Sequence, residues 1–136
     1  MFIGVDFDGT IVDYRFPEIG KPAPGALAWL KRWEELGGRI ILFTMRSGQT
    51  LEAAVDFLRG KDIQLYGINR NPEQDSWTSS PKAFAHVYVD DAAFGCPLTH
   101  PRGFTHPCVD WTVVGPEVAN MLLGDKLRQE GSIPSN

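Results

Sequence analysis

Met1-Phe2-Ile3-Gly4-Val5-Asp6-Phe7-Asp8-Gly9-Thr10 decides the reading of this chain. Its first five residues are an apolar run short enough to be a buried strand. Asp6 and Asp8 stand two apart, so on extended backbone both carboxylates leave the strand end in the same direction. Gly9 then turns the chain without steric penalty. An acidic pair at the carboxyl end of an opening parallel strand lies where open α/β sheets place their chemistry. Asp8-Gly9 alone is also an ordinary turn former, but that reading accounts for one dipeptide and not for the pattern downstream.

Working outward, strand and helix alternate. Residues 2–6 are the first strand. A loop with Asp13, Pro17 and Gly20 leads to Pro22 and Pro24, which suit a helix start. Leu27, Leu30, Trp33 and Leu36 then make a helical stripe that Gly37-Gly38 stops. Residues 39–44 read as a second buried strand, broken by Ser47-Gly48. Leu51, Ala54, Val55 and Leu58 fall at i, i+3, i+4 and i+7 of an amphipathic helix that Gly60 closes. Ile63 to Tyr66 is a short third strand. His86-Val87-Tyr88-Val89 is a fourth and ends at Asp90-Asp91. A Pro/Gly-rich stretch follows, with a short apolar piece at Val109-Asp110-Trp111, and a last helix is expected from about Pro116 to Leu127. The expected fold class is α/β: a mostly parallel central sheet covered on both faces. It is read as a single domain over 1–127 with a polar, frayed tail at 128–136.

A chain of 136 residues with 43% hydrophobic content holds one real core. A net charge of −4 gives no general pull toward nucleic acid or an anionic membrane. No apolar run approaches the roughly 18–20 residues of a membrane span, and no charged-then-apolar leader opens the chain, so no membrane partner is expected. Two cysteines make no disulfide framework, and the expected location is the reducing cytoplasm.

The polar residues at the strand ends fall into one set. Asp6 and Asp8 end the first strand, Thr44 the second, Asp90 and Asp91 the fourth, and Lys82 lies just before the fourth. In a parallel sheet these ends share an edge. Four converging carboxylates do not all ionise without a cation to offset their repulsion. A few oxygen ligands of this kind suit Mg²⁺, which keeps several waters and usually binds beside a phosphate. Thr44 and the amides opening the helix after Ser47-Gly48 can hold a phosphate oxygen, and Lys82 can neutralise its charge. The set is suited to phosphoryl transfer.

Asp6-Phe7-Asp8-Gly9-Thr10, Thr44, Lys82 and Asp90-Asp91 resemble, in order and in strand–helix context, the four motifs of the haloacid dehalogenase superfamily of phosphohydrolases. The resemblance covers about residues 1–95. It implies a Rossmann-like three-layer α/β/α sandwich, an Asp nucleophile and Mg²⁺. Carried onto this chain, Asp6 attacks phosphorus to form an aspartyl-phosphate and Asp8 is the general acid and base. Thr44 holds the transferring group, and Lys82 screens it. The resemblance also implies Mg²⁺ on the Asp6 carboxylate, the Asp8 carbonyl and Asp90, with Asp91 acting through water or from behind. Gly9 and Thr10 fall on the substrate-binding loop. Members usually carry a cap domain after the first strand or between the second and third motifs. Residues 11–43 and 45–81 hold none, so this chain resembles a capless member. Small capless bacterial and phage proteins are most similar, through Asp8 to Val12, Ile19-Gly20, Thr44-Met45-Arg46 and Val109-Asp110-Trp111.

A capless site implies either a large, even macromolecular, phosphorylated substrate or a homo-oligomer whose subunits cover one another's clefts. Arg46 is a candidate clamp for phosphate or carboxylate, or else a solvated Arg at a helix start. Asn69 is a candidate pocket residue or part of a polar turn. Tyr14 and Phe16 can stack on a base or sugar, or pack the flap down. Cys96, His100, His106 and Cys108 share one Pro-rich stretch. A structural Zn²⁺ site is one reading of them, and a loop stiffened by Pro97, Pro101 and Pro107 is the other. Two alternatives to the phosphatase stay open: a non-catalytic binding or regulatory protein of the same fold, and a phosphotransferase.

Overall fold

Four short strands, β1 (Phe2–Val5), β2 (Arg39–Leu42), β3 (Leu65–Ile68) and β4 (Val87–Val89), pair in parallel in the order β3-β2-β1-β4. The computed structural model describes residues 1–131, and the part of the expected tail at 132–136 lies outside the described residues. β1 is central: Ile3 sits between Ile40 and Val87, and Val5 between Leu42 and Val89. Side chains alternate faces along a strand, so these six aliphatic residues share one face of the sheet.

That face carries all three helices, α1 (Ala26–Glu35), α2 (Gly48–Gly60) and α3 (Trp111–Gln129), which close one hydrophobic cluster with it. α1 and α3 meet through Trp33 and Trp111, whose ring centroids are 5.1 Å apart. The Trp33 indole N–H donates to the Gly115 carbonyl at 3.0 Å. A Cβ on Gly115 would stand only 2.4 Å from the Trp29 ring, so glycine is what lets the two helices approach. Phe57 of α2 sets its edge on Phe7 at 6.1 Å. Each large side chain buried in this way contributes about 2 kcal/mol of transfer free energy.

The opposite face is covered thinly, by residues 69–86, which contain one 3-10 turn (Gln74–Ser76) in place of a full helix. Two buried amides organise this segment. The Gln74 amide donates to the carbonyls of Ser80 and Lys82 and accepts from the Phe84 N–H, while Asn71 donates to the Phe84 carbonyl. Tyr88 lies beneath, 3.0 Å from where a Gly4 Cβ would be, and its hydroxyl donates to the Ala83 carbonyl.

The architecture is the expected Rossmann-like α/β arrangement, and several boundaries move. α1 begins after Gly25 rather than at Pro22 or Pro24, because Pro22 bridges to Val12. β2 ends at Leu42, before Thr44, and β3 runs from Leu65 to Ile68 rather than from Ile63 to Tyr66. α3 starts five residues ahead of Pro116. Asp110 caps it, accepting from the Thr112 N–H at 3.1 Å and the Thr112 hydroxyl at 2.6 Å. Arg128 and Gln129, expected in the tail, belong to this helix. A two-stranded antiparallel hairpin, β5 (Leu98–Thr99) and β6 (Cys108–Val109), precedes α3. Between β1 and β2 lie only a flap (residues 10–25) and α1, and between β2 and β3 only α2 and its connections.

Candidate active site

The carboxyl ends of β1, β2 and β4 open into a cleft of about 370 Å³. Asp6, Asp8, Tyr14, Phe16, Thr44, Met45, Arg46, Asp90, Asp91 and Ala92 line it. Its floor is acidic. Asp6, Asp90 and Asp91 each offer a carboxylate oxygen, all within 4.8 Å of one another; among the described residues this is the one such cluster of three or more Asp, Glu, His or Cys. Thr10, fully buried, ties the floor together: its hydroxyl donates to Asp6 at 3.0 Å and accepts from the Asp91 N–H at 3.1 Å. Gly9 is left-handed (φ +83°), and a Cβ there would stand 2.5 Å from an Asp91 carboxylate oxygen. Glycine at this position is thus the condition for Asp91 to reach the floor.

The floor is electrostatically unfinished. Burial, then the hydrogen bond with Asp91 and the charge of Asp90, push Asp6 from its ordinary 3.8 up to about 8. The Thr10 hydroxyl opposes this only in part. Asp90 is likewise raised, by burial first and by Asp91, against a bond from the Ala92 N–H. An all-oxygen donor set of this kind fits a hard divalent cation such as Mg²⁺, whose charge would favour the ionised carboxylates that burial and mutual repulsion disfavour.

Asp8, two residues on, is in the opposite condition. Its carboxylate receives a bidentate pair from Arg46, Nε to Oδ2 at 2.7 Å and Nη2 to Oδ1 at 2.8 Å. The other donors of Arg46 go to the carbonyls of Pro17 (3.1 Å), Thr50 (3.2 Å) and Glu18 (2.8 Å). All five guanidinium N–H groups are thereby used. The guanidinium lies between the rings of Phe7 and Phe16, at 5.1 and 5.2 Å, and Arg46 is only 3% exposed. Neither the substrate clamp nor the solvated arginine that its position suggests, Arg46 is a buried brace with no donor left to offer.

Other expected site residues also take positions one step back from the cleft. Thr44 lines it; its hydroxyl accepts from the Arg46 N–H at 3.1 Å and keeps its own proton to donate. Asn69 does not line it. Held at φ +53°, it accepts from the Thr44 N–H at 2.7 Å and so sets the loop that presents Thr44. Gly9 and Thr10 shape the floor rather than contact a substrate: the Gly9 N–H goes to the Val12 carbonyl, and the Thr10 hydroxyl is engaged as above. Ser47 and Gly48, which open α2, are not among the lining residues. Lys82 is not brought to the cleft. Gln74 holds its carbonyl, and its ammonium sits over the Tyr88 ring at 5.4 Å.

Cys96, His100, His106 and Cys108, for which a zinc site is one of two readings, form no group of three or more converging ligands among the described residues. The His100 ring bonds the Phe104 carbonyl, and the His106 ring the Thr105 hydroxyl. Cys108 is paired in the hairpin opposite Thr99, and burial pushes its thiol up to about 11. Both cysteines are free.

Sequence reasoning missed the groups that support the motif loop from the C-terminal third. The Trp111 indole N–H donates to the Thr10 carbonyl at 2.8 Å, and the Val109 N–H to the Gly9 carbonyl at 3.1 Å. Buried Asp13 anchors the flap by accepting from the Thr105 N–H and hydroxyl. Burial alone would raise its carboxyl, but these bonds outweigh it and hold Asp13 below the ordinary range. The only sequence signal was the polar–aromatic string Val109-Asp110-Trp111.

A conserved protein from Bacteroides thetaiotaomicron, known as a solved structure, is similar to this chain over 89% of its length and 91% of that chain's. The identity is 32% and the TM-score 0.72. The two chains belong to one family. No family model matches the chain, and no curated protein matches it.

Proposed function

We propose that this protein is a Mg²⁺-dependent phosphomonoester hydrolase working through an aspartyl-phosphate. One observation carries the reading: Asp6, Asp90 and Asp91 converge within 4.8 Å on the floor of the cleft that Thr44 also lines. The resemblance to the haloacid dehalogenase superfamily supports it. An Asp6 oxygen attacks phosphorus as the ester P–O bond breaks, and the departing oxygen takes a proton from Asp8 once its pair with Arg46 has opened. Asp8 then removes a proton from water, which attacks phosphorus, frees Asp6 and releases inorganic phosphate. Thr44 donates to a phosphoryl oxygen. The metal would be held by Asp6, Asp90, Asp91 and the Asp8 carbonyl, and would offset the repulsion between nucleophile and phosphate.

With Lys82 over Tyr88, the role expected for a lysine at the nucleophile falls to the metal and Thr44. A cytoplasmic location is part of the proposal and rests on the two free cysteines. Whether water or a second substrate accepts the phosphoryl group is decided by product analysis with competing acceptors.

A specific observation favours a second reading, a non-catalytic phosphate-binding module. Both oxygens of Asp8 are occupied by Arg46, and a carboxylate so held exchanges protons only after that pair opens. Turnover separates the two. A hydrolase releases phosphate with Mg²⁺ and loses this activity in Asp6→Asn, whereas a binding module retains phosphate esters without consuming them.

A further inference from the structure

The mouth of the cleft is apolar where its floor is acidic. Tyr14 and Phe16 line it at 48% and 49% exposure, and Met45, next to Thr44, is 98% exposed. Tyr14 already has His106 against it and Phe16 has Arg46, so these rings are held in place with area still open to solvent. Large apolar groups left exposed around a polar floor mark a binding surface. The charges of the lining complete the description. It contains four carboxylates and one cation, Arg46, whose five donors are spent; Arg15, between the two aromatics, is not among the lining residues.

We propose that the substrate is a phosphomonoester whose leaving group carries a planar ring and no second anionic group, as in a simple nucleoside monophosphate. The ring stacks on the platform of Tyr14, Phe16 and Met45 while the phosphate descends to the floor. This rests on the phosphatase reading and adds the substrate class to it. Flat rings stack on aromatic side chains and on adaptable methionine, and the entropy cost is low because the platform rings are already fixed. A second phosphate or a carboxylate would face the acidic floor with no cationic side chain free to receive it, which disfavours sugar bisphosphates, phosphorylated acids and polynucleotide ends.

The test compares adenosine 5′-monophosphate with ribose 5-phosphate, because the reacting phosphate and its sugar are the same and only the base differs. With Mg²⁺, kcat/KM is expected to favour the nucleotide by about tenfold, the size of a good aromatic stacking contact. The Tyr14→Ala/Met45→Ala double variant should bring that ratio toward one. Adenosine 3′,5′-bisphosphate should be a poorer substrate than the monophosphate by a similar factor. A wild-type ratio near one, or equal use of the bisphosphate, overturns the proposal. Calorimetric binding of the same three compounds to Asp6→Asn with Mg²⁺ reads the preference without turnover. If nothing is hydrolysed, the phosphatase reading fails. The binding ratios then decide this inference by themselves: nucleotide preference upholds the platform, and indifference removes it.

Discussion

Asp6 and Asp8 are two residues apart in sequence and line one cleft, yet their surroundings are opposites. Asp6 belongs to a floor of three carboxylates with no cationic side chain paired to it, and its carboxyl is pushed up to about 8. Asp8 belongs to a wall in which a buried arginine meets both of its oxygens and braces the flap through the carbonyls of Pro17 and Glu18. The comparison teaches that an acidic motif is not one electrostatic object. The floor holds repulsion that a bound cation would relieve, while the wall is internally balanced and rigid, and its role is to hold the flap and Asp8 in place.

The largest effect expected is on the wall. Arg46→Ala removes the partner of a mostly buried carboxylate and leaves carbonyls unbonded, so it should cost about 4 kcal/mol in urea-induced unfolding. Arg46→Lys should recover only part of this, since an ammonium lacks the planar fork. Equal stability of wild type and Arg46→Ala would dissolve the distinction between wall and floor.

Next comes the support behind the floor. Trp111→Phe leaves the Thr10 carbonyl without its donor and should cost about 2 kcal/mol, read by the same unfolding curves. Because Thr10 bonds Asp6 and Asp91 rather than Asp8, activity lost in this variant should exceed what its stability explains.

A smaller effect sharpens the floor. With no metal, Asp6 has a folded pKa of about 8 against an ordinary 3.8, so folding takes up a proton between these values. Stability from this group therefore falls as pH rises from about 4 to about 8 and levels off above. The melting temperature of metal-free protein should be lower at pH 8 than at pH 5. Asp6→Asn should flatten that slope, and Mg²⁺ should raise the midpoint more at pH 8 than at pH 5. The smallest effect is expected at the hairpin. A zinc-selective chelator should leave the midpoint unchanged, because His100 and His106 bond protein atoms and do not meet Cys96 and Cys108.

The legibility of these features followed how local their causes are. The apolar run into Asp6 and the stripe of Leu51, Ala54, Val55 and Leu58 carry their own periodicity, and the structure shows both elements. Asp90 and Asp91 reach the floor because β4 pairs with β1 in register, which alternation in a parallel sheet foretells. Lys82 was misplaced because its path depends on buried Gln74 and Asn71, amides whose partners lie up to thirteen residues away. Arg46 reads in sequence as a clamp or as a solvated arginine, because nothing there shows that three carbonyls and both oxygens of Asp8 consume its donors. The start of α3 was legible in principle, since Asp110 followed by Thr112 is a cap, but Pro116 was the louder signal.

The most direct test of the central claim is release of inorganic phosphate from a panel of phosphomonoesters, with Mg²⁺ and with chelator, by wild type and Asp6→Asn. The account predicts turnover that needs the metal and falls at least about a thousandfold in the variant, as loss of a nucleophile requires. Turnover that persists with chelator or in Asp6→Asn, or no release from any member of the panel, would contradict it.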